Sequence, residues 1–313
     1  MRILLVKTSS LGDVIHNLPV VTDLRTHFPG ASIDWVVEEG FADIVRLHPG
    51  IGQAIPVALR RWRKSVLTPT AWKEMNIFRE ALQEQSYDLV IDTQGLLKSA
   101  LIARMAHGKR CGYAATAARE PLAARFYDTT FDVAKDFHAV LRNRNLAALA
   151  AGYEAMSTPD YGIAVTPAPT FDLTSVILLT ATSRDDKLWP EECWIEVGNA
   201  LHQRGLKCLL AAGSAAERER AARIAQAIPD AQVLPLMSLT GLAGQLAAAR
   251  LVIGVDTGLV HLAAALGRPV LALFSASDPA LTGVLAGTPA INLGRRGQPP
   301  GVDDVLAAAA PFL

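Results

Sequence analysis

The sequence predicts an α/β protein built as two doubly wound, Rossmann-like halves, and three observations carry that prediction. Short aliphatic runs alternate with stretches of helical period along nearly all of the 313 residues, the pattern of parallel strands covered on both faces. Half of the chain is hydrophobic, with 6% aromatic and 19% charged residues, enough aliphatic content for a sizeable core. The alternation lapses once, over Ser157–Thr170, which holds Pro159, Pro167 and Pro169 and no helical period. It restarts at Ser175, so the expected division is 1–165 and 166–313, in keeping with roughly 150 residues per domain.

The first strand is Arg2–Val6, RILLV, nearly all aliphatic. A single helix is expected to open at Gly12, because Val14, Ile15, Leu18, Val21 and Leu24 recur at helical spacing. Strands follow at Ser32–Val37, Leu89–Asp92 and Lys109–Tyr113, with helices at Ala71–Gln85, Leu96–Ala106 and His138–Ala151. The second half supplies strands at Ser175–Thr180, Lys207–Ala211, Gln232–Leu234, Leu251–Val255 and Pro269–Phe274. Between them fall helices Glu191–Arg204, Ala215–Ala227, Leu239–Ala249 and Leu259–Leu266.

Charge and cysteine content exclude several classes of function. Thirty basic residues balance thirty acidic ones, against a general nucleic-acid binder. Cys111, Cys193 and Cys208 are scattered and odd in number, against a disulfide framework or a cysteine zinc site and in keeping with a reducing compartment. MRILLVKTSS turns polar too early for a signal peptide, and no run approaches the ~18 apolar residues of a membrane span. A soluble, cytoplasmic protein is expected. No metal-ligand spacing is present; the adjacent pairs Asp185-Asp186 and Asp303-Asp304 have no helical or strand rationale in the sequence.

In open α/β sheets, ligands bind at the carboxyl ends of strands, so the loops there are the candidates. Lys7–Asp13 follows the first strand and is neither a Walker loop nor a dinucleotide fingerprint. Asp13 falls at a helix start, as a cap or as a general base toward a substrate hydroxyl. Leu251–Gly267 runs a strand straight into Asp256-Thr257-Gly258 and a small-residue helix. Thr257 can cap that helix, and Gly258 lets a phosphate approach its N–H groups. Thr180–Pro190 offers the hydroxyls of Thr182 and Ser183 and the charge of Lys187; Glu217, after Gly213-Ser214, is an acceptor for a ribose diol or part of a helix exterior. RRWRK at 60–64 sets four cations around one tryptophan, either a solvated loop or an anion-binding one.

Taken in order, these blocks resemble the heptosyltransferases of lipopolysaccharide inner-core assembly, glycosyltransferase family 9. The resemblance rests on KTSSLGDVIHNLP at 7–19, DWVVEEGFADI at 34–44, IPVALRRWRK at 55–64 and DTQGLLKSALIARMAHG at 92–108. It continues through AREPLAARFY at 118–127, TSRDDKLWPEECW at 182–194, LPLMSL at 234–239 and VDTGLVHLAAALGRP at 255–269. It covers nearly the whole chain and is nearest the branch that adds the first heptose. The heptosyltransferase II branch differs in the first loop and lacks RRWRK. The alanine-rich tail 294–313 departs most from the family.

The resemblance implies a GT-B fold, two Rossmann-like domains facing across a central cleft, with the acceptor in the first and the nucleotide sugar in the second. It implies transfer of heptose from ADP-L-glycero-D-manno-heptose to the Kdo of Kdo-lipid A, with inversion and with no metal or other cofactor. Asp13 matches the family's base, and Lys187 its diphosphate lysine. Thr182, Ser183, Glu217, Met237, Asp256, Thr257, Gly258, Leu259 and His261 match the donor site. Ser10, Gly12, Arg60, Arg61, Arg63, Lys64, Lys98 and Arg119 match the acceptor side. Peripheral contact with the cytoplasmic face of the inner membrane follows from a lipid acceptor, and nucleic acid is not an expected partner. The reading of another class is a non-catalytic sugar- or nucleotide-binding module of two such domains.

Overall fold

The aliphatic runs become two six-stranded parallel sheets. The computed structural model describes residues 1–65, 67–155, 157–168 and 174–313; Pro169 and Thr170 of the expected linker lie outside these. The chain divides into two compact units, Met1–Ile163 and Ala164–Leu313. The first unit carries β1 (Arg2–Val6), β2 (Ser32–Glu38), β3 (Ile51–Val57), β4 (Ser86–Asp92), β5 (His107–Tyr113) and β6 (Thr129–Phe131). The second carries β7 (Ser175–Leu179), β8 (Lys207–Leu210), β9 (Gln232–Val233), β10 (Leu251–Val255), β11 (Val270–Phe274) and β12 (Ala290–Gly294). Strand order is β3-β2-β1-β4-β5-β6 in one sheet and β12-β11-β10-β7-β8-β9 in the other. Both are doubly wound orders. Chain direction across the sheet therefore reverses between β1 and β4 and between β7 and β10, the two places where such sheets open a ligand crevice.

Three edge elements depart from expectation. β3, IGQAIPV, contains Gly52 and Pro56 and reads poorly as a strand; on a sheet edge, Pro56 can be accommodated. β6, TTF, and β12, AINLG, lie at two further edges, the one without an aliphatic residue and the other broken by Asn292 and Gly294. The single helix expected from Gly12 is two, Leu11–Ile15 and Leu18–His27. Pro19 lacks the N–H that a continuous helix needs at that point and sits in the first turn of the second one, where none is required. The tail forms a helix, Val302–Ala309, whose Val305 and Ala309 join the core of the second unit. Asp303 and Asp304 occupy its first turn, where the Asp304 Oδ2 accepts the Gly301 N–H at 2.9 Å. The pair without a rationale in sequence is a helix start.

Core packing fixes the strands whose ends matter. Leu4, Val6 and Val90 pack against Phe78, Leu82 and Ile102. On the other unit, Val176, Leu178, Ile253 and Val255 pack with Trp189 and Trp194, whose rings meet edge to face. Helices Leu18–His27 and Ala139–Ala151 are tied by a buried bidentate pair, Arg144 to Asp23 at 2.7 and 3.0 Å. Among the described residues no helix is long and apolar enough to cross a membrane.

Candidate active site

Each switch point carries one carboxylate bonded to one cation. In the first unit, the chain leaves β1 through Lys7–Ser10 and turns into Leu11–Ile15. Asp13 Oδ2 accepts the Ser10 N–H at 2.9 Å, so the carboxylate caps the helix it stands on. Its other oxygen accepts from Arg119 Nη2 at 2.6 Å, across 106 residues of sequence. Burial alone would raise the Asp13 carboxyl; the charges of Lys7 and Arg119, with the Arg119 and Ser10 hydrogen bonds, outweigh it and hold Asp13 well below the usual carboxylate range.

Ser10 and Arg119, which the resemblance assigns to the acceptor side, bond Asp13 directly; the buried groups behind them carry no sequence signal of their own. Lys7 is 3% exposed, and its Nζ donates to Thr93 O at 2.8 Å and Asn143 Oδ1 at 3.2 Å. Burial is the main reason its ammonium is lowered to about 8; the neighbouring Asp13 and Asp92 offset this in part. Gln94, buried beyond the end of β4, accepts from Thr8 N at 2.7 Å and Ser9 N at 3.2 Å, and its amide donates back to Ser9 O. Asp92 Oδ1 accepts from the N–H groups of Gln94 and Gly95, and its Oδ2 from Tyr127 Oη at 2.7 Å. Gly95 has φ +67° and lies where an added Cβ would come within 3.0 Å of Tyr113, so the turn needs glycine there. No local signal could have found this clamp; only the β1–β4 pairing brings its halves together.

RRWRK is part helical turn and part exposed turn. Leu59–Trp62 is a helical turn, with Trp62 buried and donating its indole N–H to Glu74 at 2.7 Å. Arg61 is spent on Glu39 and Glu74, and Arg60 lies over the Phe41 ring at 5.5 Å. Arg60, Arg63, Lys64 and Lys98 line a pocket of about 660 Å³ with Ser9, floored by Leu59, Trp62 and Met75. Lys98 Nζ donates to Ser9 Oγ at 3.3 Å. Of the basic positions from the 60–64 block, Arg61 alone faces carboxylates on two sides and stands outside this lining.

In the second unit, β7 and β10 end side by side. Thr182 Oγ1 donates to Asp256 O at 2.9 Å, and Lys187 Nζ donates to Asp256 Oδ2 at 2.6 Å. The hydroxyl of Ser277, beyond β11 and unnoticed in the sequence, donates to that same oxygen. Lys187 ends the short helical turn Asp185–Lys187, and Arg184 pairs with Asp186; the adjacent aspartates thus belong to the turn that presents the lysine. Thr257 takes the N-cap position of Gly258–Ala265, but its side chain makes no cap hydrogen bond, contrary to expectation. Thr257, Gly258 and Leu259 are half-buried at that helix start, and His261 is buried within it.

Ser183 is exposed in the turn. Glu217 Oε2 accepts the N–H groups of Gly213 and Ser214 at 2.8 and 3.0 Å, so that oxygen serves its own helix start rather than standing free for a ribose. Met237 precedes the Ser238 cap of the helix Leu239–Ala248. Glu217 lies in the first turn of the helix Ala215–Gln226 that follows β8, and Met237 on the loop after β9. Among the described residues, no group of three or more histidine, cysteine or acidic side chains is placed to hold a metal ion.

Residues 75–303 match the model of glycosyltransferase family 9 (heptosyltransferase). Lipopolysaccharide heptosyltransferase 1 of Escherichia coli (strain K12) is 49% identical over 288 residues, covering 90% of each chain. Its namesake from Pseudomonas aeruginosa is also 49% identical, over 90% of this chain and 81% of its own. The solved E. coli heptosyltransferase WaaC with ADP superposes with a TM-score of 0.93 at 43% identity, covering 100% of both chains. The same enzyme with ADP-2-deoxy-2-fluoro heptose gives 0.89 at 44%, over 100% of this chain and 98% of that one.

Proposed function

Because the chain belongs to glycosyltransferase family 9, we propose that it transfers L-glycero-D-manno-heptose from ADP-heptose to the Kdo of Kdo-lipid A, with inversion, in lipopolysaccharide inner-core synthesis. The observation that carries this reading is the placement of Asp13 and Lys187, each at the switch point of its own sheet. Inverting transfer needs one carboxylate to take the proton of the acceptor hydroxyl as that oxygen attacks the anomeric carbon. It also needs positive charge for the diphosphate that leaves.

Asp13 is the base in this reading. Arg119 is partly exposed and pairs with it in the free protein, whereas the acceptor brings carboxylates that suit the same guanidinium. Exchange of Arg119 onto such a carboxylate removes one of the two cations that depress Asp13, and so makes Asp13 a better base once acceptor is bound. Lys187 neutralises the diphosphate, aided by the N–H groups at the start of Gly258–Ala265, an eight-residue helix. Asp256 and Ser277 hold Lys187 in place. Arg60, Arg63, Lys64 and Lys98 take the acceptor's anionic groups, with Ser10 and Gly12 on the turn that presents Asp13. Thr182, Ser183, Met237, Asp256, Thr257, Gly258, Leu259 and His261 serve the donor, and Glu217 serves it through the oxygen that does not cap its own helix. A lipid acceptor places the work at the cytoplasmic face of the inner membrane, by peripheral contact.

The test is mass spectrometry of Kdo-lipid A incubated with the protein and ADP-heptose. A gain of one heptose is expected. A gain seen only on an acceptor that already carries heptose assigns the second-heptose reaction instead. ADP binding without a gain on either acceptor favours a binding module.

A further inference from the structure

We propose that Lys7 is a positioning residue of the transfer reaction, a sealed ammonium that keeps Asp13 charged while Arg119 changes partners. The inference rests on Asp13 being the base. Two features separate Lys7 from the other cations around that carboxylate. Lys7 is buried, whereas the Arg119 side chain is 43% exposed, so Lys7 cannot be drawn away by an incoming anion. Its hydrogen bonds go to neutral oxygens, Thr93 O and Asn143 Oδ1, rather than to a carboxylate.

The Asn143 amide is turned to serve it. Asn143 Nδ2 donates to His16 O and its Oδ1 also accepts from Tyr113 Oη, which leaves oxygen, not nitrogen, toward Lys7. Both acceptors bind an ammonium more strongly than a neutral amine, so the arrangement favours the charged lysine. The charged groups facing Lys7 are Asp13 and Asp92, against Arg119 and Arg142. Asp92 is buried and pushed toward its neutral form, while Asp13 is the carboxylate held ionised. An ammonium taken out of water without a bonded counter-ion costs stability, and its field falls mainly on Asp13. Burial places Lys7 at about 8, so it is charged through the neutral range and releases Asp13 only as the solution becomes alkaline.

The experiment compares the parent with Lys7→Met and with Lys7→Gln, which keeps an uncharged donor toward Thr93. Two quantities are measured against pH: kcat at saturating donor and acceptor, and the Asp13 carboxyl signal by ¹³C NMR without ligands, assigned by its loss in Asp13→Asn. Both variants should carry an acid limb in kcat about one pH unit or more above the parent's, with rate lost roughly tenfold per unit below it. The Asp13 titration should move up by a similar amount. A folded variant with both profiles unchanged makes Lys7 a strut joining β1 to Ala139–Ala151 and overturns the proposal. Should Lys7→Met fail to fold, Lys7→Gln decides. A parent that transfers no heptose defeats the functional reading, while the NMR titration still decides the electrostatic one.

Discussion

Both switch points hold an aspartate bonded to a cation at 2.6 Å, yet the pairs are built to opposite ends. At the first, the carboxylate is central: Asp13 stands between a buried lysine and a half-exposed arginine, and its surroundings carry more positive than negative charge. At the second, the cation is central: Lys187 is held by one oxygen of Asp256, and that oxygen is shared with the Ser277 hydroxyl. A carboxylate amid surplus cations is kept ionised and can receive a proton when one cation leaves. A lysine steadied by one carboxylate keeps donors to spare for a second anion. In the proposed reaction the same ion pair is a masked base in one unit and an aimed charge in the other.

The sharpest way to break this comparison is to remove proton transfer at one end and charge at the other. Asp13→Asn keeps the size of the side chain but abolishes its basicity, so kcat should fall about 10²–10⁴-fold, as for loss of a general base. Calorimetry should find ADP-heptose affinity near that of the parent, since the residues proposed for the donor lie in the other unit. Equal rates for parent and variant would remove Asp13 from the chemistry. A fall no larger than that of Asp256→Asn would erase the contrast between the two aspartates.

Lys187→Ala comes next. Loss of a charge-assisted contact to the departing diphosphate should cost roughly 1.5–3 kcal/mol, about ten- to a hundredfold in kcat/KM for donor. The deficit should appear in kcat as well as KM, because negative charge grows on the diphosphate as the bond breaks. An unchanged kcat/KM would place Lys187 outside the site and leave its bond to Asp256 as a brace between two loops.

The two ends also differ in how far the sequence revealed them. Arg2–Val6 and Leu251–Val255 were legible to the residue because a central parallel strand, covered on both faces, must be aliphatic throughout. Three of the four edge strands were not, since Ile51–Val57, Thr129–Phe131 and Ala290–Gly294 are relieved of that demand, whereas the edge strand Gln232–Val233 was read at Gln232–Leu234. Asp13, Lys187 and Asp256 could be found by position, each on a loop after a strand. The pairings around them could not. Arg119 reaches Asp13 across 106 residues and Ser277 reaches Asp256 across 21, while Gln94 reaches Ser9 across 85 and Asn143 reaches Lys7 across 136, pairings that only the folded sheets create. The pairing of Arg61 is hidden in the same way: next to Arg60 and Arg63 it looks like one more free cation, and Glu39 and Glu74 lie 22 and 13 residues away along the chain.

That difference within RRWRK makes a finer test of the acceptor side. Arg63→Ala with Lys64→Ala removes two exposed cations from the pocket lining, where each faces the solvent from which the acceptor arrives. Acceptor KM should rise about tenfold at low salt, with ADP binding unaffected. The deficit should shrink as salt is added, because exposed charges are screened over about 8 Å at physiological ionic strength. A salt-independent rise would mean that the pocket has lost its shape rather than its charge.

Arg61→Ala should give the smallest effect of the series, although on sequence it is the equal of its neighbours. Its guanidinium is already bound by Glu39 and Glu74, and Glu74 also accepts the Trp62 indole N–H. Turning Arg61 toward an acceptor phosphate would leave two carboxylates facing each other without their cation, so the acceptor gains little from it. The rise in acceptor KM should be smaller than for either Arg63→Ala or Lys64→Ala measured alone, and less dependent on salt. Glu74→Gln supplies the converse: it loosens Arg61 and is expected to raise the contribution of Arg61 to acceptor binding, read as a larger penalty for Arg61→Ala in that background. If Arg61→Ala instead equals Arg63→Ala in the parent, the carboxylates release Arg61 when acceptor binds, and the helical turn Leu59–Trp62 acts with all of its cations.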